Sequence, residues 1–518
     1  MPSNRCLGGW PRPPGRFSAR HLLKSRLQTS RAQVRPFERD AESGESRVTN
    51  LFGATIFFAL VGVIFLTAIP YGSVEPWSQA IFESLVFALG LLWVIHGYIA
   101  GSWRAGNLQL FFPLIALIVV AILQSLSWSQ TEVAGVKVVN AISADPFGSW
   151  LFALRASALT LAGILAVRFA RTSLRLKVLV HALIVLAVIS SVFGIARQAM
   201  QHDQGFILPA LRYGGGFAQF INKNHFAFLV EPAMGLLLGI TILREHHRQH
   251  ILIYFSAMIL LWVALVISKS RGGLLAVTVQ ILFAALVFIY LKRRKSHKIL
   301  GWRRWAYSLG VAAITAVVLV IAIGTGVAWL GGDQLTTGIQ TAEIEIRSTD
   351  SHEGARRRDI WNATWRMARA HPILGAGLGG FWAEVPVYHD ASGAQTPVQA
   401  HNDYLELLAS AGLVGIGIFA WFGVALVKRA RWLLETLSGF QRAAALGALV
   451  GIVGVGIHSL VDFGLHITSN ALLFAMLLAI LSIDKITNGP QRKRIKSHRS
   501  DHVPGDVLMV HDNETARR

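Results

Sequence analysis

The sequence is poor in cysteine and in charge. It has one cysteine, Cys6, among 518 residues, and only 15% of the residues are charged. A single cysteine excludes an internal disulfide and a cysteine-based metal site, and a soluble protein would carry about 25% charged residues. The chain is instead 53% hydrophobic, with a mean hydropathy of +0.49. This composition excludes an ordinary soluble enzyme and is typical of a polytopic membrane protein.

Apolar runs of a length suited to the bilayer recur along the chain. A helix needs about 20 apolar residues to cross about 30 Å of hydrocarbon, and helices are expected because backbone groups in lipid must hydrogen-bond to one another. We predict an all-α fold with about twelve transmembrane helices and one large, partly helical outer loop. The predicted spans are 51–70, 79–100, 109–127, 149–168, 178–196, 225–243, 251–268, 273–291, 305–330, 411–427, 443–463 and 467–484.

Lysine and arginine are distributed unevenly between the two sides. With the N-terminus inside, the inner segments carry 36 of the 49 Lys and Arg residues and the outer segments carry 12, half of them in 331–410. This positive-inside pattern predicts cytoplasmic termini and an outward-facing loop. The predicted divisions are a basic cytoplasmic tail (1–50), helices one to nine (51–330), the loop that carries the polar motifs (331–410), helices ten to twelve (411–484) and a second cytoplasmic tail (485–518).

The basic character of the chain follows from this topology. A net charge of +21 is explained by the inner segments and by anionic membrane lipids, so we do not expect nucleic acid as a partner. Residues 1–50 are Arg-rich and have no apolar core, which argues against a cleavable signal peptide. They fit a transit peptide or a disordered or surface-lying cytoplasmic tail, and we favour the tail.

Two outer segments carry clustered cations. The turn Ser268-Lys269-Ser270-Arg271-Gly272-Gly273 places Lys269 and Arg271 at the outer interface. These two cations are either snorkelling anchors or ligands of a phosphate group. Gly272 and Gly273 are expected to make the turn. In the long loop, Arg356, Arg357 and Arg358 open a predicted helix that ends near Pro372. A charge run is usually a solvated face, but cations on the outer side oppose the topological bias and favour a function.

Two further outer segments combine polar side chains with a helix start. The loop from Arg212 enters a helix near Asn222, Asn224 and His225. Amides at a helix start favour an anion, and these side chains suit sugar hydroxyls; helix capping by Asn224 is the alternative. The segment 401–406 ends the long loop. Its imidazole, amide and two carboxylates (His401, Asn402, Asp403 and Glu406) lie where a lipid-borne group could react with a water-borne one.

Ionisable residues also lie in or near the predicted spans. His458, Asp462 and His466 recur at every fourth residue, which predicts one shared helix face. Such groups are either functional or paired structurally. Outer carboxylates at metal-binding spacing are scarce, Glu343 and Glu345 forming the one such pair, so we predict a metal-independent reaction and no cofactor. The same question of function or structural pairing is raised by Glu83, Arg155, His181 and Glu231.

Four of these motifs, in the same order, resemble those of the O-antigen ligase/polymerase superfamily of bacterial inner-membrane proteins. This group holds O-antigen ligases, Wzy-type polymerases and protein O-oligosaccharyltransferases. The motifs span 212–415, and the topology extends the resemblance to nearly the whole chain. Ser410 stands where family members often have an acidic residue. The matching pieces are Asn222-x-Asn224-His225, Ser270-Arg271-Gly272-Gly273, Arg357-x-x-x-Trp361 with His371-Pro372-x-x-Gly375-x-Gly377, and His401-Asn402-x-Tyr404-Leu405.

The resemblance implies transfer of a glycan from an undecaprenyl-diphosphate carrier to an acceptor on the periplasmic side. It implies that Arg271 and Arg357 bind the diphosphate and that His401 is the essential histidine, although Arg356 and Arg358 leave the choice of arginine open. The acceptor would be lipid A-core for a ligase, or a growing glycan for an O-antigen or exopolysaccharide polymerase. The candidate substrate-binding residues are Arg358, Arg212, Asn222, Asn224, His225, Asn402 and Lys269.

The chemistry expected of such a site is consistent with these residues. A diphosphate is a good leaving group, so charge stabilisation and positioning are the main requirements. A histidine can accept the proton of the acceptor hydroxyl, and attack opposite the diphosphate would invert the anomeric carbon. A transporter of polysaccharide or lipid-linked glycan is less favoured, because the polar residues lie in outer loops and not in helix breaks at the midplane.

Overall fold

The computed structural model describes residues 36–133, 135–200, 207, 211, 216–243, 248–295, 357–389 and 397–486. Helices dominate this part of the chain, with one two-stranded sheet. The helices before the long loop are α1 (Pro36–Ala68), α2 (Pro76–Ala100), α3 (Phe112–Ser125), α4 (Pro146–Phe169), α5 (Ser173–Met200), α6 (Lys223–Leu243), α7 (Arg248–Ile267) and α8 (Arg271–Lys295). Those that follow are α9 (Arg357–Ala370), α10 (Phe381–Glu384), α11 (Asp403–Thr436), α12 (Gly439–His458) and α13 (Thr468–Ser482).

The helices coincide with the apolar runs of the sequence. Among the described residues, eight helices are long and apolar enough to cross a membrane, namely α1, α2, α4, α5, α6, α8, α11 and α12. Helices α3, α7 and α13 are shorter and also apolar. Eleven of the twelve predicted spans therefore fall on a helix, and the ninth, 305–330, lies outside the described residues. The protein is an all-α, multi-pass membrane protein.

A β-hairpin is the exception to the all-α prediction. Strands β1 (Ser127–Val133) and β2 (Val136–Ala141) pair antiparallel, with Val133 opposite Val136, in a segment that we predicted to be a plain connection. Gly135 makes the turn with φ +80°, a conformation that glycine adopts without steric cost. Polar and β-branched residues such as Thr131 and Val138 favour a strand there.

Helices α6 and α12 pack with their backbones in contact. A Cβ added to Gly235 would overlap the backbone of Gly451, and one added to Gly239 would overlap the backbone of Gly447. Two glycines four residues apart on each helix therefore let the backbones touch, which is a common basis of helix association in membranes. This contact fixes the position of the residues that precede α6 and follow α12.

Helix α11 begins earlier than the sequence predicts. Its first residue is Asp403, whereas the apolar run begins near residue 411, and Gly412 interrupts the helix with φ +60° and ψ −156°. A Cβ on Gly412 would overlap the carbonyl of Ile373. The polar residues 403–410 are thus a helical segment. Gly412 allows the backbone of the 371–380 loop to pack against the point where this segment meets the apolar part of α11.

Candidate active site

Four chain segments that are far apart in sequence meet beyond the ends of α6 and α12. His401 precedes α11, Asn224 lies in the first turn of α6, Ser270 precedes α8, and Arg357 is the first residue of α9. Asp462 lies in the turn after α12 and connects them. The motifs singled out in the sequence therefore lie together in space, around a carboxylate whose partners the sequence did not indicate.

The Asp462 carboxylate is 1% exposed and has four partners. Its Oδ1 lies 3.3 Å from Nδ1 of His401 and accepts the amide hydrogen of Phe463 at 2.9 Å. Its Oδ2 accepts a hydrogen bond from the Asn224 carboxamide and lies 3.7 Å from the Arg357 guanidinium. A buried carboxylate is tolerated when it is paired and hydrogen-bonded in this way.

The partners of Asp462 also set its charge state. Burial alone would raise the pKa of Asp462, but the hydrogen bond and charge of His401, the charge of Arg357 and the Phe463 amide together outweigh burial. The pKa of the carboxyl is lowered to about 2. Asp462 is therefore negative throughout the physiological pH range and holds His401 and Arg357 beside each other.

Asn224 connects this carboxylate to the turn before α8. The carboxamide oxygen of Asn224 accepts a hydrogen bond from the Ser270 hydroxyl at 2.9 Å, and Ser270 is fully buried. Ser270 Oγ in turn accepts the amide hydrogen of Gly273 at 3.3 Å. The next residue after Ser270 is Arg271, which is exposed at the start of α8. One amide side chain thus fixes the position of the Arg271 backbone relative to Asp462.

The glycines after Arg271 have a different role from the one predicted. The tight turn is made by Lys269, which is exposed with φ +56°, whereas Gly272 and Gly273 lie inside the first turn of α8. A Cβ on Gly272 would overlap the His458 ring, and one on Gly273 would meet Cβ of Ala227 at 2.5 Å. The glycines therefore allow close packing of α8 against α12 and α6.

The prediction that His458, Asp462 and His466 share one helix face is wrong. Helix α12 ends at His458, Asp462 follows in a turn, and His466 ends a short 3₁₀ helix, Gly464–His466. His458 pairs with Glu231 at 2.6 Å, and both side chains are fully buried. The three residues belong to separate contacts because the helix stops one turn before Asp462.

His466 belongs to a second network of polar side chains, which contacts the backbone just before His401. Its Nε2 lies 3.3 Å from a carboxylate oxygen of Glu406 and 3.6 Å from one of Asp403. Burial lowers the pKa of His466, an effect that the nearby Asp403 carboxyl opposes only in part. The other carboxylate oxygen of Glu406 accepts the amide hydrogen of Ala400 at 2.8 Å. The network fixes the backbone immediately before His401.

Further contacts hold His401 in its unusual backbone conformation. His401 has φ +52°, in the left-handed region that non-glycine residues seldom adopt. The Trp361 indole of α9 donates to the carbonyl of Ala400 at 3.0 Å. Asn402 caps α11, because its side-chain oxygen accepts from the amides of Tyr404 and Leu405. The His401 ring then packs edge-on against Phe463, with ring centroids 4.7 Å apart.

The remaining predicted residues are placed as follows. Asn222 Oδ1 accepts the Asn224 amide hydrogen at 2.9 Å, so the capping role expected of Asn224 falls to Asn222. His225 is buried edge-on against Phe463, with centroids 5.1 Å apart. Arg358 is exposed and forms no ion pair with a described residue. Arg212 and Arg356 lie outside the described residues, as do Glu343 and Glu345.

Gln124 at the end of α3 is a positioning residue that the sequence did not indicate. Its buried amide donates to the carbonyls of Leu374 and Ser410, at 2.6 and 2.9 Å, and its oxygen accepts the Leu378 amide hydrogen at 2.9 Å. One side chain therefore joins the glycine-rich loop to α11. The available signal was a single amide at the end of an otherwise apolar run, where an unpaired polar group would be costly.

The fold and this site define a multi-pass membrane protein with cationic and imidazole groups gathered around a buried carboxylate. Residues 256–420 match the family model described as O-antigen ligase. This segment includes Arg271, Arg357 and His401 and leaves out Asn224 and Asp462. The match confirms the resemblance to the O-antigen ligase/polymerase superfamily. No curated protein matches the chain.

Proposed function

We propose that this protein is a membrane glycosyltransferase of the O-antigen ligase type. It transfers a glycan from undecaprenyl diphosphate to lipid A-core on the periplasmic side of the bacterial inner membrane, with both termini in the cytoplasm. The supporting observation is the Asp462 carboxylate, which contacts His401 and Arg357 directly and reaches the Ser270-Arg271 turn through Asn224. The family match supports a lipid-linked glycan and an acceptor as the general substrate classes.

Each group has a specific task in the proposed reaction. Arg271 and Arg357 bind the diphosphate oxygens, and Lys269 and Arg358 add positive charge at the mouth of the site. Guanidinium groups suit this task because they pair phosphate oxygens bidentately. Asn222, Asn224, His225 and Asn402 remain proposed as substrate-binding residues, with direct glycan contact less favoured for the buried His225.

The proton transfer follows from the contact between His401 and Asp462. When Nδ1–H of His401 donates to Asp462, the lone pair of Nε2 is left to accept the proton of the acceptor hydroxyl. The acceptor oxygen bonds to the anomeric carbon as the carbon–oxygen bond to the diphosphate breaks, and the electron pair leaves with the diphosphate. Attack from the opposite face inverts the anomeric carbon.

We propose that the reaction is metal-independent, because guanidinium groups can stabilise the charge that develops on the diphosphate. A chelator should then leave the rate of the purified protein unchanged. Complete inhibition that one divalent cation reverses would contradict this part of the proposal.

The function is tested by deletion in the native host, followed by complementation with the wild type, His401→Ala or Arg271→Ala. We expect the wild type to restore glycan chains on lipopolysaccharide, as seen by electrophoresis, and the two variants to insert in the membrane without restoring them. Accumulation of lipid-linked polymer in the deletion strain would identify a ligase. Chains that stop at single repeat units would identify a polymerase of O-antigen or exopolysaccharide, the alternative function. Full complementation by both variants would reject the site.

A further inference from the structure

A cavity of about 270 Å³ lies at the opposite end of the helices from Asp462. It is formed where α2 and α4 end and α5 begins, beside the part of α1 around Asn50. Helix α4 separates the two regions: Gly148 near its start contacts Gly379 of the glycine-rich loop, and Phe169 at its end lines the cavity. A helix of 24 residues is about 36 Å long, so this cavity is distinct from the candidate active site.

Three arginines, Arg168, Arg171 and Arg175, line this cavity. The Arg175 guanidinium donates to the carbonyls of Phe169 and Asn50, at 3.1 and 3.3 Å. The Arg168 guanidinium lies 5.4 Å from the centroid of the Phe169 ring, and its Nε is buried with no hydrogen-bond partner among the described residues. No ion pair joins any of the three to a described acidic side chain. The cavity therefore concentrates positive charge, and no acidic side chain in the described part of the chain balances it.

His96 is a second polar residue of the cavity with a nitrogen atom that no described residue pairs. The residue lines the cavity and is 5% exposed. Its Nε2 lies 3.2 Å from the carbonyl of Thr49, whereas its Nδ1 is buried without a hydrogen-bond partner in the described part of the chain. Buried polar atoms in native proteins are nearly always paired. The Thr49 carbonyl can only accept, so Nε2 carries the hydrogen and Nδ1 of the neutral ring is an acceptor. A hydroxyl group of a bound molecule, such as one on a glycerol headgroup, would satisfy Nδ1, and the arginines would pair with the phosphate of that molecule.

We infer that this cavity binds a phosphate group, as carried by the headgroup of an anionic phospholipid. Arginine side chains pair phosphate oxygens bidentately, and the start of α5, where the Thr172 hydroxyl accepts the Arg175 amide hydrogen at 3.2 Å, favours an anion. Exposed Tyr98 in the last turn of α2 and exposed Trp103 just after α2 lie at this end of the bundle, as aromatic residues do at membrane interfaces. Basic pockets between spans on the cytoplasmic side suit anionic lipid headgroups.

The inference is tested by lipid titration of the full-length protein in detergent, with bound lipid measured by native mass spectrometry. The test variant is Arg168→Gln with Arg171→Gln, which leaves the structural Arg175 in place. The control is Arg104→Gln with Lys177→Gln, which removes the same charge from exposed residues at this end of the bundle but outside the cavity. Each protein is titrated with phosphatidylglycerol, phosphatidylcholine and inorganic phosphate.

We expect the wild type and the control to bind one phosphatidylglycerol in preference to phosphatidylcholine. The test variant should bind it at least about tenfold more weakly, because each charged hydrogen bond that is lost is worth about a factor of ten. Displacement of the lipid by inorganic phosphate from the wild type but not from the test variant is a further outcome. That result would support the phosphate site and indicate that a soluble phosphate ester is an additional ligand. Equal binding by the test variant and the wild type, an equal loss in the control, or equal binding of phosphatidylcholine would overturn the inference.

Discussion

At the scale of single residues, Asp462 contacts both His401 and Arg357, the two groups to which the proposed reaction assigns proton transfer and diphosphate binding. Replacing it by asparagine keeps the shape of the side chain and removes the charge that pairs with His401 and Arg357. We expect Asp462→Asn to lower the rate of glycan transfer at least about 100-fold, because His401 would lose the partner that orients it and a positioned general base usually contributes that much. The measurement is the initial rate of transfer in membranes that contain equal amounts of each protein.

A second carboxylate on the same chain provides the control for this substitution. Asp484 forms an ion pair with Arg429 at 2.9 Å and follows α13, at the end of the bundle away from Asp462. Asp484→Asn should therefore leave the transfer rate within about twofold of the wild type, because Asp484 is exposed and lies far from His401, and the asparagine oxygen can still accept a hydrogen bond from Arg429. A similar loss in both variants would mean that general destabilisation, and not the site, explains the effect of Asp462→Asn.

At the scale of helices, the packing of α8 against α12 determines where Arg271 lies. We expect Gly272→Ala to reduce transfer strongly, because the added methyl group would overlap the His458 ring and push the start of α8 away from Asp462. Gly423→Ala in α11 is the matched control, since a Cβ there meets no atom within 4 Å. The measurement is the transfer rate of each variant at equal expression. A fully active Gly272→Ala protein would contradict this packing role.

The helices were predictable from the sequence to a greater extent than the site. The apolar runs predicted the positions of α1 to α8 and α11 to α13, because a helix that crosses the bilayer must be long and apolar. The same criterion missed the helical start of α11 at Asp403, which is polar and packs on the neighbouring loop. It also missed the hairpin, whose strands are short and lie outside the apolar runs.

Site residues were predictable where a motif is local in sequence. His401, Arg271 and Arg357 each stand in a recognisable motif. The contacts of Asp462 with Asn224, 238 residues away, and with His401, 61 residues away, depend on the crossing of α6 and α12. The periodic spacing of His458, Asp462 and His466 was misleading, because α12 ends at His458 and the spacing continues by chance into a turn.

At the scale of the whole molecule, the distribution of Lys and Arg predicts the orientation in the membrane. Alkaline phosphatase fused within 331–355 should be active, because that loop is predicted to lie in the periplasm. The same reporter fused after Arg104, in a predicted inner connection, should be inactive. An inactive but stably expressed fusion within 331–355 would contradict the topology and place the site on the wrong side for the proposed acceptor.

The central claim is that His401 and Asp462 act as one unit, and a double-mutant cycle on glycan transfer tests it most directly. The rates of His401→Ala, Asp462→Asn and the double variant are compared with the wild type. Residues that act as a unit are strongly non-additive, so we predict that the double variant loses no more than about threefold beyond His401→Ala alone. Losses that multiply, or an Asp462→Asn protein with the rate of the wild type, would contradict the account.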